Sequence, residues 1–130
     1  MGEHVQLEVP LTARHATTVR TVVAAIASAI EMSIDDIDDL RLGVNEAISV
    51  LTDVDDDDLD PDGGRLHIGF DTEPDQITVS AHRTGVAAST PVAEIDVLAE
   101  RILTAVVDEF SIGADGVFLL IKRVPSNVDA

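Results

Sequence analysis

The chain has 130 residues, of which 45% are hydrophobic, and its 25 acidic and 8 basic residues give a formal net charge of −17. This length suits a single domain with a substantial core, and the hydrophobic content excludes disorder as the overall state. Because cysteine is absent, disulfides and thiolate metal sites are excluded, and the acidic balance argues against direct binding to nucleic acid. The N-terminus has no signal-peptide pattern and no apolar run approaches the ~20 residues of a membrane span, so we expect a soluble, cytoplasmic protein.

The first fifty residues predict a strand followed by two helices. Apolar and polar residues alternate over 5–9, which is typical of a strand, and Pro10 ends it. From about residue 12 to residue 31 the apolar residues recur at helical spacing and define one face. A capping-box-like pattern predicts that a second helix starts at Ser33, and its apolar face extends to Leu51.

An acidic loop is predicted over 53–64, where seven aspartates accompany a proline and a Gly-Gly pair. Clustered carboxylates suit calcium, but the EF-hand pattern fails here. Asp58 stands where that pattern requires glycine, and Gly64 stands where it requires glutamate. Because like charges repel one another, the run favours a mobile, solvated loop without a metal site.

The second half of the chain predicts two strands, a helix and a last strand. Proline suits the first position of a helix, so we expect the third helix to begin at Thr90-Pro91 and to continue to Val106. The strands are predicted over 65–70, 76–82 and 117–124, with a flexible tail over 125–130. The order β-α-α-β-β-α-β predicts an α+β fold, a two-layer sandwich of a four-stranded sheet with helices on one face, as a single domain over 1–130.

Three segments resemble the anti-sigma serine kinases of Gram-positive bacteria (the RsbW/SpoIIAB type), which are small members of the GHKL ATPase superfamily. The first strand and helix of that family are similar to LEVPLTARHATTVRTVVAAIASAI (7–30), and its second helix is similar to IDDIDDLRLGVNEAISVL (34–51). Its final helix and strand are similar to VVDEFSIGADGVFLLIKRV (106–124). The element order agrees too, so the resemblance covers most of the chain and implies a sandwich of the GHKL (histidine kinase-like ATPase) type.

Glu46, within the run DLRLGVNEA, carries the most specific part of the resemblance. In the family a glutamate here acts as general base, and an asparagine one turn later holds magnesium. Positions i and i+4 share a helix face, so such a pair can converge on one phosphate site. In this chain the i+4 residue is Val50, which has no oxygen for magnesium, and Asn45 points about 100° away. Glu46 is therefore a vestigial base or simply a solvated carboxylate.

The nucleotide motif of the family is also incomplete. The Asp-x-Gly-x-Gly turn of the family aligns with the residues that follow the strand over 76–82. In this alignment Arg83 replaces the aspartate that binds adenine, and Ala87 replaces the second glycine. Only Gly85 remains, as a vestigial nucleotide residue, and arginine cannot accept a hydrogen bond from adenine. A helix starting at Thr90 would leave a shortened ATP lid of about four or five residues, without glycines to cradle phosphates. We therefore expect no cofactor and, in particular, no ATP or magnesium.

Arg20 matches, position by position, an arginine that the family uses to contact its partner proteins. Its planar guanidinium suits bidentate bonding to carboxylates at an interface. Arg14 and His15 lie nearer the start of the same helix and extend the predicted patch. The alternative is an exposed helix arginine that is only solvated. The resemblance further implies a homodimer.

The resulting hypothesis is an anti-sigma factor-like regulatory protein that binds a sigma factor, a STAS-domain antagonist or both. Two alternatives stay open: an active ATP-dependent protein serine kinase with Glu46 as base, and a non-signalling acidic dimeric scaffold. No metal site is predicted. His67 and His82 are expected to face each other across the two middle strands as a partly exposed structural pair.

Overall fold

The computed structural model describes residues 2–91 and 93–125. Its strands and helices are, in chain order, β1 (Glu3–Pro10), α1 (Ala16–Ala29), α2 (Ile34–Thr52), β2 (Arg65–Glu73), β3 (Gln76–Thr84), α3 (Val97–Val106), β4 (Glu109–Ile112) and β5 (Phe118–Arg123). Short 3-10 helices cover Ala13–His15 and Asp56–Asp58. Apart from Pro125, the predicted flexible tail lies outside the described residues.

The strands form one antiparallel sheet in the order β1-β2-β3-β5-β4, so the predicted α+β class is confirmed. Every second side chain of the central strands is buried, as expected of a sheet that is covered on one face. The helix α2 packs against β3 and β5, and it also contacts α1 and α3. The core is aliphatic apart from Phe70 and Phe118, which are both almost completely buried.

The sheet has five strands, whereas the sequence predicts four. The additional strand β4 follows α3 directly and pairs with β5 through a hairpin. Phe110 and Ile112 are half-buried, and Phe110 pairs with the buried Leu120 on the covered face. The strand has only four residues and lies at the sheet edge, so its alternating pattern is too short to stand out in the sequence.

The predicted start of the third helix at Thr90-Pro91 is wrong, because α3 begins six residues later, at Val97. Asp96 caps it, since its carboxylate accepts a hydrogen bond from the amide of Ala99 at 2.7 Å. The hydroxyl of Thr90 is buried and has no hydrogen-bond partner among the described residues. Residues 86–96 therefore separate Gly85 from α3, so the predicted spacing of four or five residues between Gly85 and the third helix is wrong as well.

The predicted start of the second helix is confirmed. The side chain of Ser33 accepts a hydrogen bond from the amide of Asp36 at 3.1 Å and caps α2. Within the described residues, none of the helices combines the length and the apolar character needed to cross a membrane.

Candidate functional site

A cleft of about 750 Å³ lies between the C-terminal half of α2, the acidic loop over 53–64 and the segment that precedes α3. We call it the acidic cleft. Glu46 and Val50 both line it, so the two positions that the resemblance assigns to base and magnesium ligand face the same space. Including Glu46, six carboxylates line its wall: those of Glu46, Asp53, Asp55, Asp58, Glu94 and Asp96. Such a wall repels a polyphosphate.

Arg83 is the single basic residue of that wall, and its guanidinium is bonded to backbone carbonyls. It donates to the carbonyl of Leu51 at 3.2 Å and to that of Pro91 at 2.8 Å. It therefore joins the end of β3 to the C-terminus of α2 and to the segment before α3. Nowhere in the described part of the chain are three His, Asp or Glu side chains grouped so that they could hold a metal ion.

The acidic loop is hydrogen-bonded to the backbone of residues 85–87. The composition of the loop does not predict this contact. The amide of Asp60 donates to the carbonyl of Gly85 at 2.9 Å, and the amide of Ala87 donates to that of Asp58 at 2.7 Å. Gly85 has a φ of +75°, and a Cβ atom there would lie 2.6 Å from the carbonyl oxygen of Gly63. Gly85 thus permits the close approach of these two backbone segments, whether or not it is also the remnant of a nucleotide motif.

The predicted partner residue Arg20 lies on the other side of α2, in a depression of about 440 Å³. We call this the Arg20 depression. The structure places Arg20 half-buried rather than fully exposed. Its guanidinium donates to the side-chain carbonyl of Asn45 at 2.6 Å and to the hydroxyl of Thr17 at 3.2 Å. Asn45 therefore faces Arg20 and not the acidic cleft, in agreement with its predicted direction.

The partners of Arg20 hold its guanidinium in place without neutralising its charge. An amide and a hydroxyl are both uncharged acceptors. By contrast, Arg65 pairs with Glu8 at 3.0 Å, and Lys122 lies 3.6 Å from both Asp36 and Asp39. Arg20 is thus an oriented cation on a strongly acidic protein.

The residues predicted to extend the Arg20 patch do not line the depression. Arg14 and His15 belong to the 3-10 helix Ala13–His15, where Arg14 is exposed and His15 lies 2.6 Å from the hydroxyl of Thr12. The second basic residue of the depression is instead Arg41 on α2. It was missed in the sequence, although Arg41 and Asn45 are an i, i+4 pair on one helix face.

The predicted histidine pair is confirmed. His67 and His82 are opposite each other in the β2–β3 register, and their rings stack with centroids 4.7 Å apart. The other ring contacts of His67 are to Glu8, 3.2 Å away, and to the hydroxyl of Thr84, 2.8 Å away. Both rings lie on the sheet face opposite the helices and act there as a cross-strand contact.

Comparison with known proteins finds no protein-family model and no curated protein that matches this chain significantly. The resemblance to the anti-sigma serine kinases therefore stays a hypothesis.

Proposed function

We propose that this chain is a cytoplasmic anti-sigma factor-like regulatory protein of the GHKL type that has lost ATP binding. It binds a sigma factor, a STAS-domain antagonist or both, through a surface centred on Arg20. The observation that carries the proposal is the bond between Arg20 and Asn45 at 2.6 Å, which fixes a guanidinium at a surface depression and leaves its charge uncompensated.

This arrangement suits recognition of a carboxylate on a partner protein. Two of the five N–H donors of a guanidinium are used by Asn45 and Thr17, so three remain for a partner. Because the side chain is already oriented, less conformational entropy is lost when a partner binds. Binding at this surface would regulate the partner by occlusion, since the partner cannot use the covered surface elsewhere.

The chemistry of the acidic cleft supports the loss of nucleotide binding. Val50 provides no oxygen for magnesium, and the guanidinium of Arg83 is already bonded to carbonyls of the protein itself. The surrounding carboxylates oppose a triphosphate, whose negative charge in related enzymes is balanced by metal ions and basic residues.

The deciding experiment uses purified sigma factors and STAS-domain proteins of the native host as binding probes. Calorimetric titration of each probe into the chain should give a saturable complex with at least one, and millimolar Mg-ATP should leave its affinity unchanged. If none binds, the proposal is wrong and the acidic scaffold is favoured. Transfer of phosphate from ATP to a serine of a STAS-domain probe would favour the active kinase instead.

A further inference from the structure

The helix α2 carries a stripe of four exposed residues and one half-buried residue, which begins beyond the Arg20 depression and continues into it. The stripe consists of Ile34, Asp38, Arg41, Leu42 and Asn45, which lie along one side of the helix at spacings of about one turn, with Arg41 and Leu42 adjacent in the same turn. The last four line the depression together with Arg20, and Ile34 precedes Asp38 by four residues. We refer to these five residues as the α2 stripe.

Two of the most exposed large apolar side chains of the described residues lie on the α2 stripe. Ile34 is 78% exposed and Leu42 is 50% exposed, although both belong to a helix with an extensive buried face. They are eight residues apart, which corresponds to roughly 12 Å along a helix axis. An amphipathic helix of a partner matches this distance with apolar residues at positions i and i+7 or i+8.

The charges at the α2 stripe indicate which polar residues such a partner helix carries beside its apolar face. Arg20 and Arg41 lie beside Leu42, while the net charge of the whole chain is −17. Charges are screened beyond roughly 8 Å at physiological ionic strength, so an acidic helix is attracted locally here and repelled at other surfaces. The exposed Asp35 lies beside Ile34, and Asp38 is the one carboxylate among the described residues that line the depression. It lies 3.6 Å from Arg41 as an exposed i, i+3 pair, which is a weak interaction.

We infer that the α2 stripe is the docking surface for an amphipathic, acidic helix of the partner protein. Leu42 and Ile34 hold its apolar side chains, Arg41 and Arg20 bind its carboxylates, and Asn45 is a positioning residue for Arg20. This inference rests on the proposed function, because it assigns the chemistry of the partner that the Arg20 depression binds.

The test measures the affinity of stripe variants for the purified sigma factor or STAS-domain protein that binds the unmodified chain. Leu42→Gln should lower the affinity roughly tenfold or more, since buried interface anchors dominate binding, and Arg41→Gln should lower it several-fold. Asp38→Asn should raise it several-fold, because a like charge opposite the acidic helix is removed. Matched controls on α3 are Leu98→Gln, whose leucine is 68% exposed, and Arg101→Gln, which should both bind normally.

Melting curves identify variants that fail for structural reasons. If Leu42→Gln does not fold, Leu42→Ala gives the same comparison with a residue of high helix propensity. Normal binding by the Leu42 and Arg41 variants, with loss of binding by Arg20→Glu, would overturn this inference and leave the proposed function intact. If no probe binds the unmodified chain, both are overturned together.

Discussion

Neighbouring residues of α2 face two recesses with opposite chemistry. Glu46 lines the acidic cleft, where carboxylates dominate and the single guanidinium is bonded to the protein backbone. Asn45 lines the Arg20 depression, where two guanidinium groups meet one carboxylate and an exposed leucine. One helix thus separates a surface that repels anions from a surface that attracts them.

The two recesses therefore differ in what their polar groups bind. In the acidic cleft the side chains of Arg83 and Asp96 bond to the protein backbone, and beside the cleft the carbonyl of Gly85 accepts from the amide of Asp60. These bonds hold the surrounding loops together. In the depression, the charge of Arg20 stays uncompensated. Substitutions around the cleft should therefore change the free energy of unfolding, whereas substitutions in the depression should change partner binding.

The largest expected effect is that of Gly85→Ala. A left-handed φ at alanine and the approach of its Cβ to the carbonyl of Gly63 should together lower the free energy of unfolding by about 2–4 kcal/mol. Gly63→Ala is a matched control, since Gly63 has a similar φ of +82° but open space around it, and it should cost only about 1 kcal/mol. Urea unfolding measures both. Equal losses would show that the loop contact at Gly85 contributes little.

The next effect is that of Arg20→Glu on partner binding. Reversal of the oriented charge should weaken binding roughly thirtyfold or more, which is about 2 kcal/mol. Because Arg20 is half-buried and bonded to Asn45, we expect a small loss of stability in addition, below about 1 kcal/mol. Arg101→Glu on the exposed side of α3 controls for net charge and should bind normally. Loss of stability as large as the loss of binding would instead mean that Arg20 is structural.

A smaller effect distinguishes the two proposed starts of α3. Asp96→Ala removes the cap and should lower the free energy of unfolding by about 1 kcal/mol. Thr90→Val removes a hydroxyl that makes no hydrogen bond and should change stability by less than about 0.5 kcal/mol or raise it slightly. Both residues line the acidic cleft, so each should leave partner binding unchanged. The reverse ranking would place the start of the helix at Thr90 after all.

These starts also illustrate what the sequence can predict about the fold. Long periodic segments identified α1, α2 and the two middle strands, and local patterns identified the Ser33 cap and the His67–His82 register. The predicted start of α3 was wrong because Thr90-Pro91 and Asp96 both have the local sequence features of a helix start. Only the contacts around residues 86–96 select between them. The edge strand β4 was missed since four residues give a weak periodic signal.

The candidate site was predictable only in part, for a similar reason. Helix spacing placed Glu46 and Val50 on one face and turned Asn45 away from them. It did not reveal that Asn45 binds Arg20, because these residues are 25 positions apart and belong to different helices. Likewise, contacts between the acidic loop and residues 85–87 are tertiary, and the composition of the loop alone favours a solvated chain.

The smallest expected effect is that of nucleotide, which should leave the melting temperature unchanged. A ligand present at 100 times its Kd stabilises a protein by about 2.7 kcal/mol, so a functional site would be obvious at millimolar Mg-ATP. The double variant Asp53→Asn with Asp55→Asn separates two causes of the loss. If repulsion by the cleft carboxylates were the only obstacle, this variant would gain a melting shift with Mg-ATP. We expect none, because Val50 still provides no ligand for magnesium and Arg83 still bonds to Leu51 and Pro91. A shift of several degrees in the unmodified chain would contradict the proposed difference between the two recesses, since the acidic cleft would then bind the anion that its charges are expected to repel.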